Sequence, residues 1–128
     1  MKIYLAGKIT GQRAFAEKWR ENIIKKYSSN KLKFVNPMRR NQKGKAMKDF
    51  SKIVNGDKLD IFKSDCVLVY INDGASFGTS MEIMFAYQRD IPVIVVSKEK
   101  NLGAWLNYHS KIFTNFEEAF DYIKRWCI

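Results

Sequence analysis

Two near-continuous apolar runs, "CVLVYIN" (Cys66–Asn72) and "IPVIVVS" (Ile91–Ser97), constrain the fold of this chain more than any other feature. Neither alternates polar with apolar residues, as a strand with one wet face would. Each reads as a central strand covered on both faces, the usual condition of a parallel sheet. Three shorter runs join them: "KIYLAG" (Lys2–Gly7), "KFVNP" (Lys33–Pro37), stopped by its proline, and "KIFTN" (Lys111–Asn115). Helical stretches lie between. Ala14–Tyr27 carries Phe15, Trp19, Ile23 and Tyr27 on one face, and Ile53–Ser64, Thr79–Asp90 and Phe116–Cys127 follow. Asn101–Tyr108 reads as a short helix. Strands alternating with helices imply an α/β fold: a flavodoxin-like or Rossmann-like three-layer sandwich with a five-stranded parallel sheet in the order 2-1-3-4-5. Its switch point lies between the first and third strands. The loops Gly7–Arg13 and Asn72–Ser80 should both open on that crevice.

Nothing divides the chain, which reads as one domain over residues 1–128. No run approaches the roughly 20 apolar residues of a membrane span, and "MKIYLAGKIT" lacks the apolar core of a secretion signal. Cys66 and Cys127 are not clustered, which suggests reduced thiols in a cytoplasmic protein and no metal site. The net charge of +10 favours anionic partners or serves solubility. The basic run Arg39–Lys45 reads as a solvated loop before a lid or a nucleic-acid contact. His109, the only histidine, has no implied catalytic partner and reads as a surface or interface residue.

The stretch "GTSMEIMFAY" (Gly78–Tyr87) admits two readings. Thr79 and Glu82 have the spacing of a capping box, in which each side chain satisfies an orphan helix N–H. Alternatively, Glu82 is a carboxylate beside the ligand crevice of a parallel sheet. The spacing alone leaves both open.

Taken together, "IYLAG", "GDKLDIFKSD" (Gly56–Asp65), "GTSMEIMFAY" and "NLGAW" (Asn101–Trp105) resemble the nucleoside 2-deoxyribosyltransferase family in nearly full-length element order. The resemblance implies an enzyme that cleaves the N-glycosidic bond of a 2′-deoxynucleoside or its 5′-monophosphate. It implies Glu82 as the nucleophile, forming a covalent glycosyl-enzyme as retaining glycosidases do, with the helix dipole keeping it ionised. Asp57 matches the proton donor to the leaving base. Tyr4 matches a tyrosine that hydrogen-bonds the nucleophile, where a core tyrosine is the ordinary alternative. Gly7 would let the chain pass close to the sugar, and Gly78 belongs to the same glycine-threonine motif. Asn101 matches an asparagine that reaches a neighbouring subunit's site, which implies a homo-oligomer; its ordinary alternative is a helix N-cap. Asp60 reads as a solvated residue and Asp65 as turn chemistry.

Ser76 is a departure. The deoxyribosyltransferases often carry an aspartate there, whereas the related 2′-deoxynucleoside 5′-monophosphate N-glycosidases use a serine to bind the 5′-phosphate. Lys8, Thr10 and Arg13 stand where those hydrolases have an arginine-bearing loop. Gly103, where the hydrolases have a nearby serine, points back to the transferases. The acceptor, a second base or water, stays open at this level. So do a nucleotide-binding module without turnover and a basic nucleic-acid-binding protein on the same fold.

Overall fold

The computed structural model describes residues 1–40, 49–74 and 76–127. Strands β1 (Lys2–Gly7), β2 (Lys33–Val35), β3 (Cys66–Ile71), β4 (Val93–Ser97) and β5 (Lys111–Phe113) form one parallel sheet in the order β2-β1-β3-β4-β5. The helices are α1 (Arg13–Tyr27), α2 (Phe50–Phe62), α3 (Phe77–Tyr87), α4 (Ala104–His109) and α5 (Phe116–Cys127), with a 3-10 turn at Pro37–Arg39. The expected fold and strand order are those observed. Among the described residues, no helix is long and apolar enough to cross a membrane.

The apolar runs are continuous because both faces of the sheet are covered. Ile3, Leu5, Leu68 and Ile94 point one way, onto Trp19 and Ile23 of α1 and Phe120 and Ile123 of α5. Tyr4, Ala6, Val67, Val69 and Val95 point the other way, onto Ile61 of α2 and Ile83 and Ala86 of α3, with Leu106 of α4 at the margin. Each fully buried aliphatic or aromatic side chain contributes on the order of 1.5–3 kcal/mol. The α1–α5 layer is also knit by ring contacts: Tyr27 stacks on Phe120 at 3.8 Å, and Trp19 meets Tyr70 edge-on at 5.3 Å. Asp65 is structural, as expected: its Oδ2 accepts from the Lys2 N–H at 2.7 Å and ties the start of β3 to β1.

Two helices begin earlier than apolar periodicity predicts. Asp49 caps α2 by accepting from Lys52 N at 3.0 Å, so that helix starts at Phe50 and not Ile53. Ser76 caps α3 by accepting from Thr79 N at 3.2 Å, so that helix starts at Phe77, ahead of Thr79. In both, the polar cap decides the start, and the apolar pattern enters only later. Residues 41–48, most of the expected basic loop, lie outside the described residues.

Candidate active site

The crossover from β2 to β3 carries α2, and the one from β3 to β4 carries α3, so the groove between these helices lies over β1 and β3. A cavity of about 640 Å³ fills it. Asp57 and Lys58 of α2 line one wall, and Gly78, Met81, Glu82 and Phe85 of α3 the other. Tyr4 rises from β1 below, and its hydroxyl donates to Glu82 Oε2 at 2.5 Å.

The start of α3 overturns the capping-box reading of Thr79 and Glu82. The Thr79 N–H and hydroxyl are engaged by Ser76, the hydroxyl pair lying 2.9 Å apart. Glu82 stands in the second turn, its carboxylate held by Tyr4. The position is also deeper than expected. Tyr4 is the third residue of β1, in register with Val67 near the start of β3. The Tyr4–Glu82 pair therefore lies halfway along the sheet, under the helix layer, and not at the carboxyl edge of the strands.

Electrostatics follow from that depth. Burial pushes the Glu82 carboxyl up to about 7, against the Tyr4 hydrogen bond and the charge of Arg20, with Asp57 adding to the rise. The expectation that the helix dipole keeps Glu82 ionised is thereby corrected: the dipole acts within the first turn, and burial dominates at this depth. Burial also raises the Tyr4 phenol, as do the negative charges of Glu82 and Asp57, so Tyr4 is a neutral donor at any working pH. Asp57 is raised as well, by burial first, with Arg40 opposing and Asp60 reinforcing.

The roles of three arginines escaped the sequence reading. Arg20 of α1 is fully buried, its guanidinium donating to the carbonyls of Leu5 (3.3 Å), Ala16 (3.0 Å) and Gly7 (3.1 Å). Burial lowers it to about 10, opposed by Glu82, Tyr4 and Asp57. Arg40 donates to Asp57 Oδ1 at 3.1 Å and also to Asp60. Arg39 grips both Asp60 oxygens at 2.9 Å. Asp60 is thus not the solvated residue expected. Burial pushes it up, but the two arginines outweigh this and hold it below the usual carboxylate range. Arg40 likewise is half-buried and paired, whereas Arg39 pairs with Asp60 and stays exposed.

The remaining candidates surround this centre at varying distance. Gly7 owes its lack of a side chain to packing: an added Cβ would sit 3.0 Å from the Tyr70 carbonyl and 3.1 Å from the Trp19 ring. Lys8 and Thr10 lie in the turn after β1, closed by Gln12 N donating to Ile9 O at 3.1 Å. Arg13 opens α1 and pairs with Glu17 at 3.1 Å. Ser76 and Arg13 stand at the amino ends of α3 and α1, both at the carboxyl edge of the sheet. Asn101 is exposed and accepts from Gly103 N and Asn107 Nδ2, both at 3.2 Å; the N-cap of α4 is Gly103 and not Asn101. The cavity walls include Asp57, Gly78 and Glu82, and do not include Lys8, Thr10, Arg13, Ser76 or Asn101. His109 packs among Trp105, Tyr87 and Tyr108 on the outer face of α4.

Solved structures of similar shape include a 2-desoxiribosyltransferase from Leishmania mexicana, with a TM-score of 0.77 at 17% identity over 99% of both chains. A 2-deoxyribosyltransferase from Bacillus psychrosaccharolyticus matches with a TM-score of 0.70 at 20% identity, over 92% of this chain and 89% of that one. The CMP N-glycosidase BcmB of Clostridium botulinum matches with a TM-score of 0.67 at 13% identity, over 98% of this chain and 99% of that one. At these identities the likeness concerns the fold. No curated protein matches the chain in sequence. The family model for nucleoside 2-deoxyribosyltransferase, however, matches residues 3–116, a span that holds Tyr4, Asp57 and Glu82, and the chain belongs to that family of enzymes.

Proposed function

We propose that this enzyme cleaves the N-glycosidic bond of a 2′-deoxynucleoside or its 5′-monophosphate through a glycosyl-Glu82 intermediate and transfers the sugar to a second base. The carrying observation is the buried Tyr4 hydroxyl bound to Glu82 Oε2, with Glu82 and Asp57 lining one cavity. With Oε2 held, the other carboxylate oxygen is left to attack the anomeric carbon. The C1′–N bond breaks as the Glu82–C1′ bond forms, and Asp57 supplies the proton the departing base requires. In the second half-reaction the acceptor nitrogen bonds C1′, the electron pair returns to Glu82, and the acceptor's proton passes to Asp57. Glu82 must be ionised to attack, so the rate has an acidic limb near pH 7, and the need for a protonated Asp57 gives it an opposing alkaline limb.

The 5′-phosphate reading is favoured by Ser76 and Arg13. They stand at the amino ends of two helices that meet the same edge of the sheet, where helix N–H groups attract anions. The protein acts as a homo-oligomer in cytoplasmic nucleotide salvage, with Asn101 reaching another protomer's cavity. Oligomerisation is supported by the large apolar side chains exposed on the α2–α4 layer, among them Phe77 at 91% and Trp105 at 74%. A protein that is fully active as a monomer in sedimentation would refute the shared site.

The deciding experiment incubates the protein with deoxynucleosides and their monophosphates, with and without a free base. Release or exchange of base, and a glycosyl adduct on Glu82 by mass spectrometry, are expected. Glu82→Ala should lose several orders of magnitude in rate, roughly what removal of a covalent nucleophile costs. Release that does not depend on an added base, with no exchange, would make water the acceptor. Tight binding without release would refute catalysis at this site.

A further inference from the structure

Helix α2 contains one glycine, Gly56, beside Asp57. Glycine inside a helix is unfavourable by about 1 kcal/mol against alanine, so its presence calls for a local reason. Arg40 lies against this glycine. A Cβ on Gly56 would overlap Arg40 Nη1 and Cζ, so the guanidinium, at the end of a flexible side chain, would have to shift. The guanidinium lies over the bare backbone, and from there its Nη2 donates to both Asp57 Oδ1 and Asp60 Oδ2, one turn on. Arg39, the preceding residue, grips Asp60 with both ends of its fork, so the start of the chain after the 3-10 turn is anchored to α2 twice.

We propose that Arg40 is a positioning residue for Asp57: seated over Gly56, it holds that carboxyl so that the same group gives a proton in one half-reaction and takes one back in the next. The inference rests on the roles given above to Glu82 and Asp57. The first half-reaction needs Asp57 protonated, to donate to the base nitrogen as the C1′–N bond breaks. The second needs it ionised, to accept the proton of the attacking nitrogen or water as the Glu82–C1′ bond breaks. Burial alone would trap it in the protonated form. Among the described residues, the charged and titratable groups that act on Asp57 are Tyr4 of β1, Arg20 of α1, Arg39 and Arg40 after β2, Asp60 of α2 and Glu82 of α3. Of the cations, Arg40 is the one that hydrogen-bonds the carboxylate itself. Its loss leaves burial and the negative charge of Asp60, opposed by Arg39, to push Asp57 further up.

Arg40→Gln removes the charge, and Gly56→Ala displaces the guanidinium while leaving both side chains in the protein. In each, the Asp57 carboxyl carbon, followed by NMR, should titrate at higher pH than in wild type. Release of the first equivalent of base should stay fast, whereas steady-state turnover at neutral pH falls about tenfold, the lower bound for losing a charge-assisted hydrogen bond. The signature is a burst of base with accumulated glycosyl-Glu82, which general loss of packing does not produce. Arg40→Lys should restore part of the turnover. An unchanged Asp57 titration and no burst, in a wild type that does turn over, overturn the inference and spare the function. A wild type that releases no base overturns the function, and the Asp57 titration still reads whether Arg40 governs the carboxyl.

Discussion

Glu82→Gln is the substitution whose consequences are most sharply determined by the structure. It keeps the shape of the side chain and an oxygen that accepts from Tyr4, and removes only the titration. In the folded protein the Glu82 carboxyl is pushed from its ordinary 4.5 up to about 7 by burial. The folded state therefore binds this proton more tightly than the unfolded state does. The stability contributed by that proton is fully present below about pH 4.5 and is lost as pH rises through about 7. At about 1.4 kcal/mol per pH unit, the loss by pH 8 is about 3 kcal/mol. A glutamine loses nothing over the same range. The variant should thus gain on wild type between pH 5 and pH 8, ending about 3 kcal/mol ahead, or roughly 10 °C in Tm for a chain of this size. It should have no nucleophile at any pH.

The assay is urea unfolding at several pH values, followed by the fluorescence of the buried Trp19. Terms from groups that do not interact with Glu82 cancel to first order in the difference. The reasoning is refuted if the gap between variant and wild type is independent of pH. Glu82 would then be ionised at an ordinary pH in the folded protein, and the depth of the site would have no electrostatic consequence. A gap that grows with pH, together with complete loss of base release, is what a destabilised catalytic carboxylate produces: stability given up at a functional site.

Tyr4→Phe removes the hydrogen bond that lowers Glu82, so the acidic limb of kcat/KM should move to higher pH, with about a tenfold loss relative to wild type at pH 6 that shrinks as pH rises. Asp57→Asn should slow release of ordinary bases by about 10²–10⁴-fold, and far less for a nitrophenyl deoxyriboside, whose leaving group needs no proton. Arg13→Ala and Ser76→Ala should each lower the kcat/KM ratio of 5′-monophosphate to nucleoside by about tenfold; a wild-type ratio near one refutes the phosphate reading. Ser76→Ala should additionally cost about 1 kcal/mol in urea unfolding, because its hydroxyl caps α3.

The framework was legible because its cause is local. An apolar run such as Cys66–Ile71 can be stable only when covered on both faces, and the alternation with helices leaves few topologies. The depth of the site was not legible, because the chain offers two serine or threonine caps three residues apart, Ser76 and Thr79. Local rules do not rank them. In the structure Ser76 wins and engages Thr79 itself. Starting α3 there moves Glu82 about one turn, ~5 Å, further from the helix start. That shift takes it from a capping position to a place above Tyr4, and from a dipole-stabilised carboxylate to one governed by burial.

The cations are the other lesson, and they bear on what the charge of +10 means. Read as composition, it speaks of anions outside the protein. Yet Arg20 is buried against main-chain carbonyls of its own chain, and Arg39 and Arg40 are engaged with Asp57 and Asp60. Some of the cations are therefore directed inward and, balanced by their own aspartates or seated on carbonyls, say nothing of anions outside the protein. Arg40 and Asp57 are 17 residues apart in sequence, on different elements, so no periodicity connects them. The one available signal was Gly56, an unfavourable residue in the middle of a helix beside a candidate acid. A glycine there implies that something lies against the backbone, and beside Asp57 the something of most chemical consequence is a charge.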